Sequence, residues 1–87
     1  MMYNPPLRLY MPTKLFGANW MRQTKQTITN LEDAGVVFEF IDVSDEPHLA
    51  SALTTILGEY ALPVLIVDGH AYKGGAKVHE YLRNRTT

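Results

Sequence analysis

The residues that carry chemistry in most small enzymes are either missing from this chain or scattered along it. None of its 87 residues is a cysteine, so within the chain neither a thiolate nucleophile nor a cysteine-based zinc site can form. Ser44 and Ser51 lie in no evident nucleophile environment, and we interpret residues 32–33 and 45–46 as solvated or helix-capping carboxylates. Three histidines without metal-ligand spacing are interpreted as surface residues: His48, His70 and His79. The sequence therefore indicates no catalytic residue and no metal.

Two other features point to binding. The pair Gly74–Gly75 precedes a predicted helix, where the backbone can approach a ligand closely and a carboxylate can sit at the helix N-terminus. A tight turn required by the fold would need the same pair. Leu15, Phe16 and Trp20 fall on a predicted loop, where they either form an apolar patch suited to a protein partner or fold back into the core.

Composition bounds the class of protein. The chain is 46% hydrophobic and 20% charged, which predicts one globular domain over residues 1–87 with a modest core. A net charge of −1 gives no electrostatic reason to expect nucleic acid. No apolar run approaches the roughly 18 residues of a membrane span, and the N-terminus lacks the pattern of a signal peptide. We expect a cytoplasmic protein with neither a nucleic-acid nor a membrane partner.

The first half of the chain predicts a strand, a helix and a second strand. A short apolar strand is expected at residues 8–11, ended by Pro12 and followed by a loop over residues 13–18. Asn19 is a plausible N-cap for a helix that continues to about Ala34, with Gly35 as its C-cap glycine. Spacings of three and four predict the buried face of this helix: Met21, Thr24, Ile28 and Leu31. Residues 36–43 are β-branched, aromatic and mostly apolar, as in a strand covered on both faces.

The second half predicts a helix, a hairpin and a last helix. Ser44 or Asp45 caps the helix, and Pro47 lies in its first turn. Its apolar stripe is predicted to be Leu49, Leu53, Ile56 and Leu57. The dipeptide Asp68–Gly69 joins strands over residues 64–67 and 70–73 as a hairpin. The final helix buries three residues: Val78, Tyr81 and Leu82. The order βαβαββα predicts an α/β fold, a four-stranded mixed sheet flanked by three helices.

This order, the segment Phe-Glu-Phe-Ile-Asp-Val at residues 38–43 and the segment from Leu62–Pro63 to Gly74–Gly75 resemble glutaredoxins of the thioredoxin-like fold. The chain is most similar to the small glutaredoxin-like redoxins that serve ribonucleotide reductase, versions of which bacteria and phages carry. The resemblance spans about residues 7–82. It implies a site in which two cysteines at a helix N-terminus exchange disulfides.

Both redox positions of that site are replaced. Counting back from Gly35, the family's C-x-x-C motif falls on residues 21–24, and its cysteine positions are Met21 and Thr24. Gln23 and Thr27 match residues common in these redoxins. A thioether cannot form a thiolate, and a threonine hydroxyl is far too weakly acidic to replace one without a base. An alternative register on residues 19–22 also contains no cysteine.

The spacing before the motif also departs from the family. About five residues separate the first strand's tyrosine from the first cysteine in these redoxins, whereas Tyr10 to Met21 is about six longer. This difference predicts an insertion that replaces the short active-site loop and carries Leu15, Phe16 and Trp20 to the edge of the former active site.

The resemblance also implies a ligand site. Pro63 matches the family's cis-proline, whose backbone pairs with an extended segment of substrate or glutathione, so we expect the Leu62–Pro63 bond to be cis. Gly74–Gly75 matches the region that holds the γ-glutamyl end of glutathione. Lys14 either matches the lysine that pairs with its glycine carboxylate or is a solvated surface lysine.

Function is predicted in two alternative forms. In the first, the chain is a cysteine-less, redox-inactive protein-binding module encoded by a bacterium or phage, neither an enzyme nor a cofactor carrier. In the second, it keeps the family's ligand site and binds glutathione or a peptide, or assists an enzyme as an accessory subunit. Disulfide oxidoreduction, the assignment that homology alone would give, requires a cysteine that this chain lacks.

Overall fold

Strands and helices alternate over residues 12–85, the part of the chain that the computed structural model describes. The elements are β1 (Lys14–Gly17), α1 (Arg22–Asp33), β2 (Glu39–Asp42), a 3₁₀ turn (Val43–Asp45), α2 (Pro47–Leu57), β3 (Val64–Val67), β4 (His70–Lys73) and α3 (Gly75–Arg85). Over these residues the strand order is β2-β1-β3-β4, with β1 parallel to β2 and the other pairs antiparallel. The predicted βαβαββα order and four-stranded mixed sheet are confirmed.

The first strand lies later in the chain than predicted. β1 begins at Lys14, inside the segment expected to be a loop, and the strand predicted at residues 8–11 lies outside the described residues. A lysine at one end and a glycine at the other gave β1 a weak strand signal. Pairing with β2 on one side and β3 on the other overrides that local preference. Leu15 and Gly17 are buried as a result.

Helix α1 begins at Arg22, three residues after the predicted N-cap. Met21 is the N-cap residue and makes no side-chain capping bond. The backbone N–H of Asn19 instead donates to Oδ1 of Asp42 at 3.4 Å. The buried residues of the helix are Thr24, Thr27 and Leu31, while Ile28 is half-buried against the core.

The C-terminus of α1 follows the prediction closely. Gly35 has a φ of 75°, and its N–H donates to the carbonyl of Glu32 at 3.0 Å. The N–H of Val36 donates to the carbonyl of Leu31, also at 3.0 Å. This pair of bonds is a Schellman motif, which satisfies the last carbonyls of the helix and favours a glycine in the left-handed region.

The region from β2 to α2 is less buried than its apolar sequence predicted. β2 is an edge strand, half-buried rather than covered on both faces. Asp42 caps the following 3₁₀ turn, which contains the two residues expected to cap α2. Pro47 does begin α2, but Leu53 is the helix's only buried residue and Ile56 is 76% exposed. In the predicted apolar stripe of α2, Leu53 is buried, Leu49 and Leu57 are half-buried, and the prediction for Ile56 is wrong.

The β3–β4 hairpin forms as predicted. Asp68 and Gly69 have φ angles of 51° and 78°, which is the type I′ geometry that Asp-Gly favours in two-residue loops. The main core cluster lies between the sheet and helices α1 and α3 and consists of Leu15, Leu31, Leu65, Val78 and Leu82. In the described part of the chain, every helix is too short or too polar to cross a membrane.

Candidate functional site

One end of the sheet gathers the segments that the sequence singled out. The register pairs Gly17 with Asp42 across β1 and β2, and Phe16 with Val64 across β1 and β3. Lys73 pairs with Val64 across β3 and β4. The last residue of β1, the proline that precedes β3 and the glycines that follow β4 therefore lie at the same end.

The first turn of α1 packs directly on this end. The side chain of Thr24 is fully buried and contacts Gly17. Its hydroxyl oxygen accepts a hydrogen bond from the backbone N–H of Ala18 at 3.3 Å. This bond fixes the short connection between β1 and α1, so Thr24 has a structural role in the position where the family's motif would place its second cysteine.

The proline and the two glycines are joined to each other and to α1. The Leu62–Pro63 peptide bond is cis. The N–H of Gly74 donates to the carbonyl of Pro63 at 2.8 Å, and Gly74 has a φ of 94°. Gly75, the first residue of α3, lies so close to the side chain of Gln23 that a β-carbon there would be 3.0 Å from Cδ. We call the surface formed by Trp20, Met21, Gln23, Leu62 and Gly74–Gly75, with the buried Pro63 beneath it, the former active-site face.

The N-terminus of α1 is electropositive. Arg22 and Lys25 are exposed in its first turn and no acidic residue lies there, so their charges add to the positive end of the helix dipole. Such a site favours a thiolate when a cysteine is present. Met21 and Thr24 provide neither a thiolate nor a comparably acidic group, so the site retains the positive surroundings of a redoxin without the sulfur nucleophile.

The predicted insertion before the motif is wrong. Because β1 spans residues 14–17, the strand ends four residues before Met21, and Phe16 is its aromatic residue. Met21 follows Phe16 by five residues (21 − 16), which is the family's usual spacing. The loop between β1 and α1 is therefore short, and no extra residues precede the two redox positions, Met21 and Thr24.

The expected apolar patch is reduced to one residue. Leu15 is a fully buried core residue and Phe16 is half-buried in the same strand. Trp20 is 69% exposed immediately before α1. Of the three residues expected at the edge of the site, only Trp20 presents a large apolar surface there.

Lys14 lies away from the site. It is the first residue of β1 and pairs with Glu39 and Ile66, whereas the site is at Gly17, about 10 Å along the strand. Its predicted place on a loop beside the active site is wrong, and of the two alternatives for Lys14 this position in β1 favours the surface lysine.

Asp42 lies at the same end of the sheet as the site, paired with Gly17, and was not singled out from the sequence. Its Oδ1 accepts hydrogen bonds from the Ser44 hydroxyl at 2.6 Å and the Ser44 N–H at 3.0 Å, and from the N–H of Asn19. The bond from the Ser44 hydroxyl, with help from the two backbone donors, lowers the pKa of Asp42 below its usual value. An Asp followed two residues later by Ser is a recognisable turn signal. The hydrogen bond from Asn19, in the turn before α1, joins residues 23 positions apart, and no local sequence pattern predicts it.

The fold and this arrangement of helix N-terminus, cis-proline and glycine pair define a thioredoxin-like protein with the frame of a redoxin site. A family model described as Glutaredoxin matches residues 13–72, which run from just before β1 to Tyr72 in β4. The chain therefore belongs to the glutaredoxin family. A comparison with curated proteins finds no match.

Solved structures agree with this assignment. The glutaredoxin-like protein NrdH-redoxin from Escherichia coli is 27% identical, with a TM-score of 0.71 over 85% of this chain and 93% of its own. A wheat glutaredoxin is 18% identical, with a TM-score of 0.75 over 86% of this chain and 74% of its own. A glutaredoxin from Brucella melitensis is 14% identical, with a TM-score of 0.71 over 87% and 83%. The last two similarities show the fold alone.

Proposed function

We propose that this chain is a redox-inactive glutaredoxin-like protein that binds another protein through its former active-site face. The observation that carries the proposal is the exposure of Trp20, 69%, directly beside the position of the missing nucleophile. Tryptophan is enriched among residues that dominate binding energies, and Trp20 presents most of its ring to solvent at this face.

The chemistry of the site supports binding rather than turnover. Disulfide exchange begins with attack by a thiolate, and the chain has no sulfur nucleophile at position 21, at position 24 or elsewhere. The surrounding frame is nevertheless retained, since Gly74 is bonded to Pro63 and Gly75 lies against Gln23. A site that keeps these backbone contacts but has no nucleophile is suited to binding another protein without catalysing a reaction. We also propose that the protein is not an enzyme, acts in the cytoplasm and is encoded by a bacterium or a phage.

The test compares two exposed apolar residues. Proteins captured from a lysate of the source organism are identified, and the binding of each purified candidate is measured with wild type, Trp20→Ala and Ile56→Ala. Ile56 is the matched control because it is 76% exposed on α2, outside the former active-site face. Trp20→Ala is expected to weaken binding by about 2 kcal/mol or more, roughly 30-fold in Kd, with little loss of stability. Equal affinities for the two variants would refute the proposal.

The second candidate, binding of glutathione or a peptide, is favoured by the cis-proline and the glycine pair. Both are present with the geometry that pairs an extended ligand beside Leu62. The position of Lys14 argues against it, because the lysine expected to hold a glycine carboxylate lies at the other end of β1. Titration with reduced glutathione distinguishes the candidates: saturable shifts of the Leu62 and Gly74 amide signals would favour the second.

A further inference from the structure

Trp20 lies in a closed turn whose two ends are fixed. The N–H of Met21 donates to the carbonyl of Ala18 at 3.0 Å, which closes a β-turn with Asn19 and Trp20 at its two central positions. Ala18, where the turn begins, is only 2% exposed, and Met21, where it ends, is the N-cap residue of α1. The turn is therefore held at one end by burial and at the other by the helix.

Two side chains from outside the turn accept hydrogen bonds from its backbone. The hydroxyl oxygen of Thr24 accepts from the N–H of Ala18 at 3.3 Å, and Oδ1 of Asp42 accepts from the N–H of Asn19 at 3.4 Å. Thr24 belongs to α1, whereas Asp42 is the last residue of β2. The turn that carries Trp20 is thus bonded both to the helix that follows it and to a strand distant in sequence.

Both acceptors are themselves fixed. Thr24 is fully buried. Oδ1 of Asp42 also accepts from the hydroxyl and the N–H of Ser44, at 2.6 and 3.0 Å, and Asp42 pairs with Gly17 in the sheet. Because neither acceptor is free to follow the turn, a rotation of the turn would break these bonds. The backbone of Trp20 is therefore held in one conformation, and the indole moves only about its own two side-chain torsions.

We propose that Asp42 and Thr24 are positioning residues for Trp20. They hold its turn in one conformation, so that the aromatic side chain loses less conformational entropy when a protein binds it. Both residues act through Trp20 rather than by touching the partner. This inference rests on the function proposed above, and it gives that function a structural cause outside the former active-site face.

The first measurement needs no partner, because Trp20 is the only tryptophan of the chain. Its motion is followed by time-resolved fluorescence anisotropy of the indole and by ¹⁵N relaxation of its backbone N–H. Asp42→Ala removes the acceptor for Asn19, whereas Asp42→Asn keeps a carbonyl oxygen there. Thr24→Val and Thr24→Ser form the corresponding pair, since only serine keeps the hydroxyl. Ile56→Ala is the surface control, and circular dichroism verifies that each variant is folded.

The order parameter of the Trp20 N–H is expected to be about 0.85 in wild type, as in rigid backbone, and to fall to about 0.6 or below in Asp42→Ala and Thr24→Val. The indole anisotropy should decay faster in the same two variants. Asp42→Asn, Thr24→Ser and Ile56→Ala are expected to leave both quantities unchanged. The proposal is overturned if Trp20 is equally rigid in wild type and in folded Asp42→Ala.

The second measurement uses a purified protein whose binding Trp20→Ala weakens. Asp42→Ala is expected to weaken its binding by about two- to tenfold, the cost of ordering one mobile side chain and its turn, and Asp42→Asn to bind as wild type does. In the Trp20→Ala background, Asp42→Ala is expected to have no further effect, since a positioning residue acts through Trp20.

An equal loss in both backgrounds would show that Asp42 contacts the partner directly, and would overturn the positioning role. The two proposals also fail separately. If no protein binds through Trp20, the proposed function is refuted, whereas the motion of Trp20 in Asp42→Ala and Asp42→Asn still decides whether Asp42 holds the turn.

Discussion

The side chain of Thr24 fills the space in which a β-carbon on Gly17 would have to lie. An ideal Cβ at Gly17 would be 2.6 Å from Cγ2 of Thr24 and 2.8 Å from its hydroxyl oxygen. Because Thr24 is fully buried, it has no room to move aside. The close approach of the β1 C-terminus to the first turn of α1 thus requires a glycine on the strand and a small side chain on the helix.

Gly17→Ala is therefore expected to destabilise the protein by about 1–3 kcal/mol, the usual cost of overpacking. The change is measured by chemical denaturation. Thr24→Ala alone is also destabilising, since it removes the bond from Ala18. The double variant should be more stable than the sum of the two single changes by about 0.5 kcal/mol or more, because the clash is relieved. Strict additivity would show that the two residues do not compete for the same space.

The neighbouring glycines Gly74 and Gly75 should respond differently to alanine. Gly74 has a φ of 94°, which an L-residue adopts at a cost of about 1–2 kcal/mol. Gly75 begins α3 with no such constraint, and the atoms nearest a new β-carbon belong to the exposed, flexible side chain of Gln23. Gly74→Ala is expected to destabilise the protein and Gly75→Ala to change its stability by less than about 0.5 kcal/mol. Equal losses in thermal unfolding would contradict this difference.

Asp42 should make the stability depend on pH at the acidic end. The Ser44 hydroxyl, the main cause, lowers the pKa of this carboxyl below 3.8 in the folded protein. A group with a lowered folded pKa contributes stability above its unfolded pKa and loses it as the pH falls through the folded value. The difference in unfolding free energy between wild type and Asp42→Asn should therefore be constant above about pH 5 and decrease below about pH 4. A difference that persists unchanged to the lowest accessible pH would show that the charge of Asp42 contributes nothing.

The β3–β4 hairpin and the end of α1 were predictable because their signals are local. Asp68–Gly69 specifies a two-residue hairpin by its own φ preferences, and Gly35 specifies the end of α1 in the same way. The position of the first strand was not predictable, because residues 8–11 form a more continuous apolar run than residues 14–17. β1 is instead stabilised by pairing with β2 on one side and β3 on the other. That one misplaced strand also produced the false insertion before Met21.

The backbone arrangement of the site was predictable from the resemblance, but the exposure of its side chains was not. Leu15 and Trp20 are both large apolar residues within the same short segment, and sequence alone assigns them no difference in burial. They differ in burial because Leu15 lies in the central part of the sheet, whereas Trp20 lies in the turn before α1. The bond between Asn19 and Asp42 depends on tertiary structure, since 23 residues separate the two.

The central claim is that the chain keeps the frame of a redoxin site and lacks only its sulfur chemistry. The most direct test is the rate of insulin disulfide reduction with dithiothreitol as the reductant, measured for wild type and for Met21→Cys with Thr24→Cys. Met21→Ser with Thr24→Ser is the matched control, since it introduces similar side chains without sulfur. Circular dichroism verifies that each variant is folded.

Wild type and the serine variant are expected to show no rate above dithiothreitol alone. The cysteine variant is expected to catalyse the reduction, because Phe16 and position 21 have the family's spacing and the helix N-terminus, with Arg22 and Lys25, favours a thiolate. Turnover by wild type, or a folded cysteine variant that remains inactive, would contradict the account.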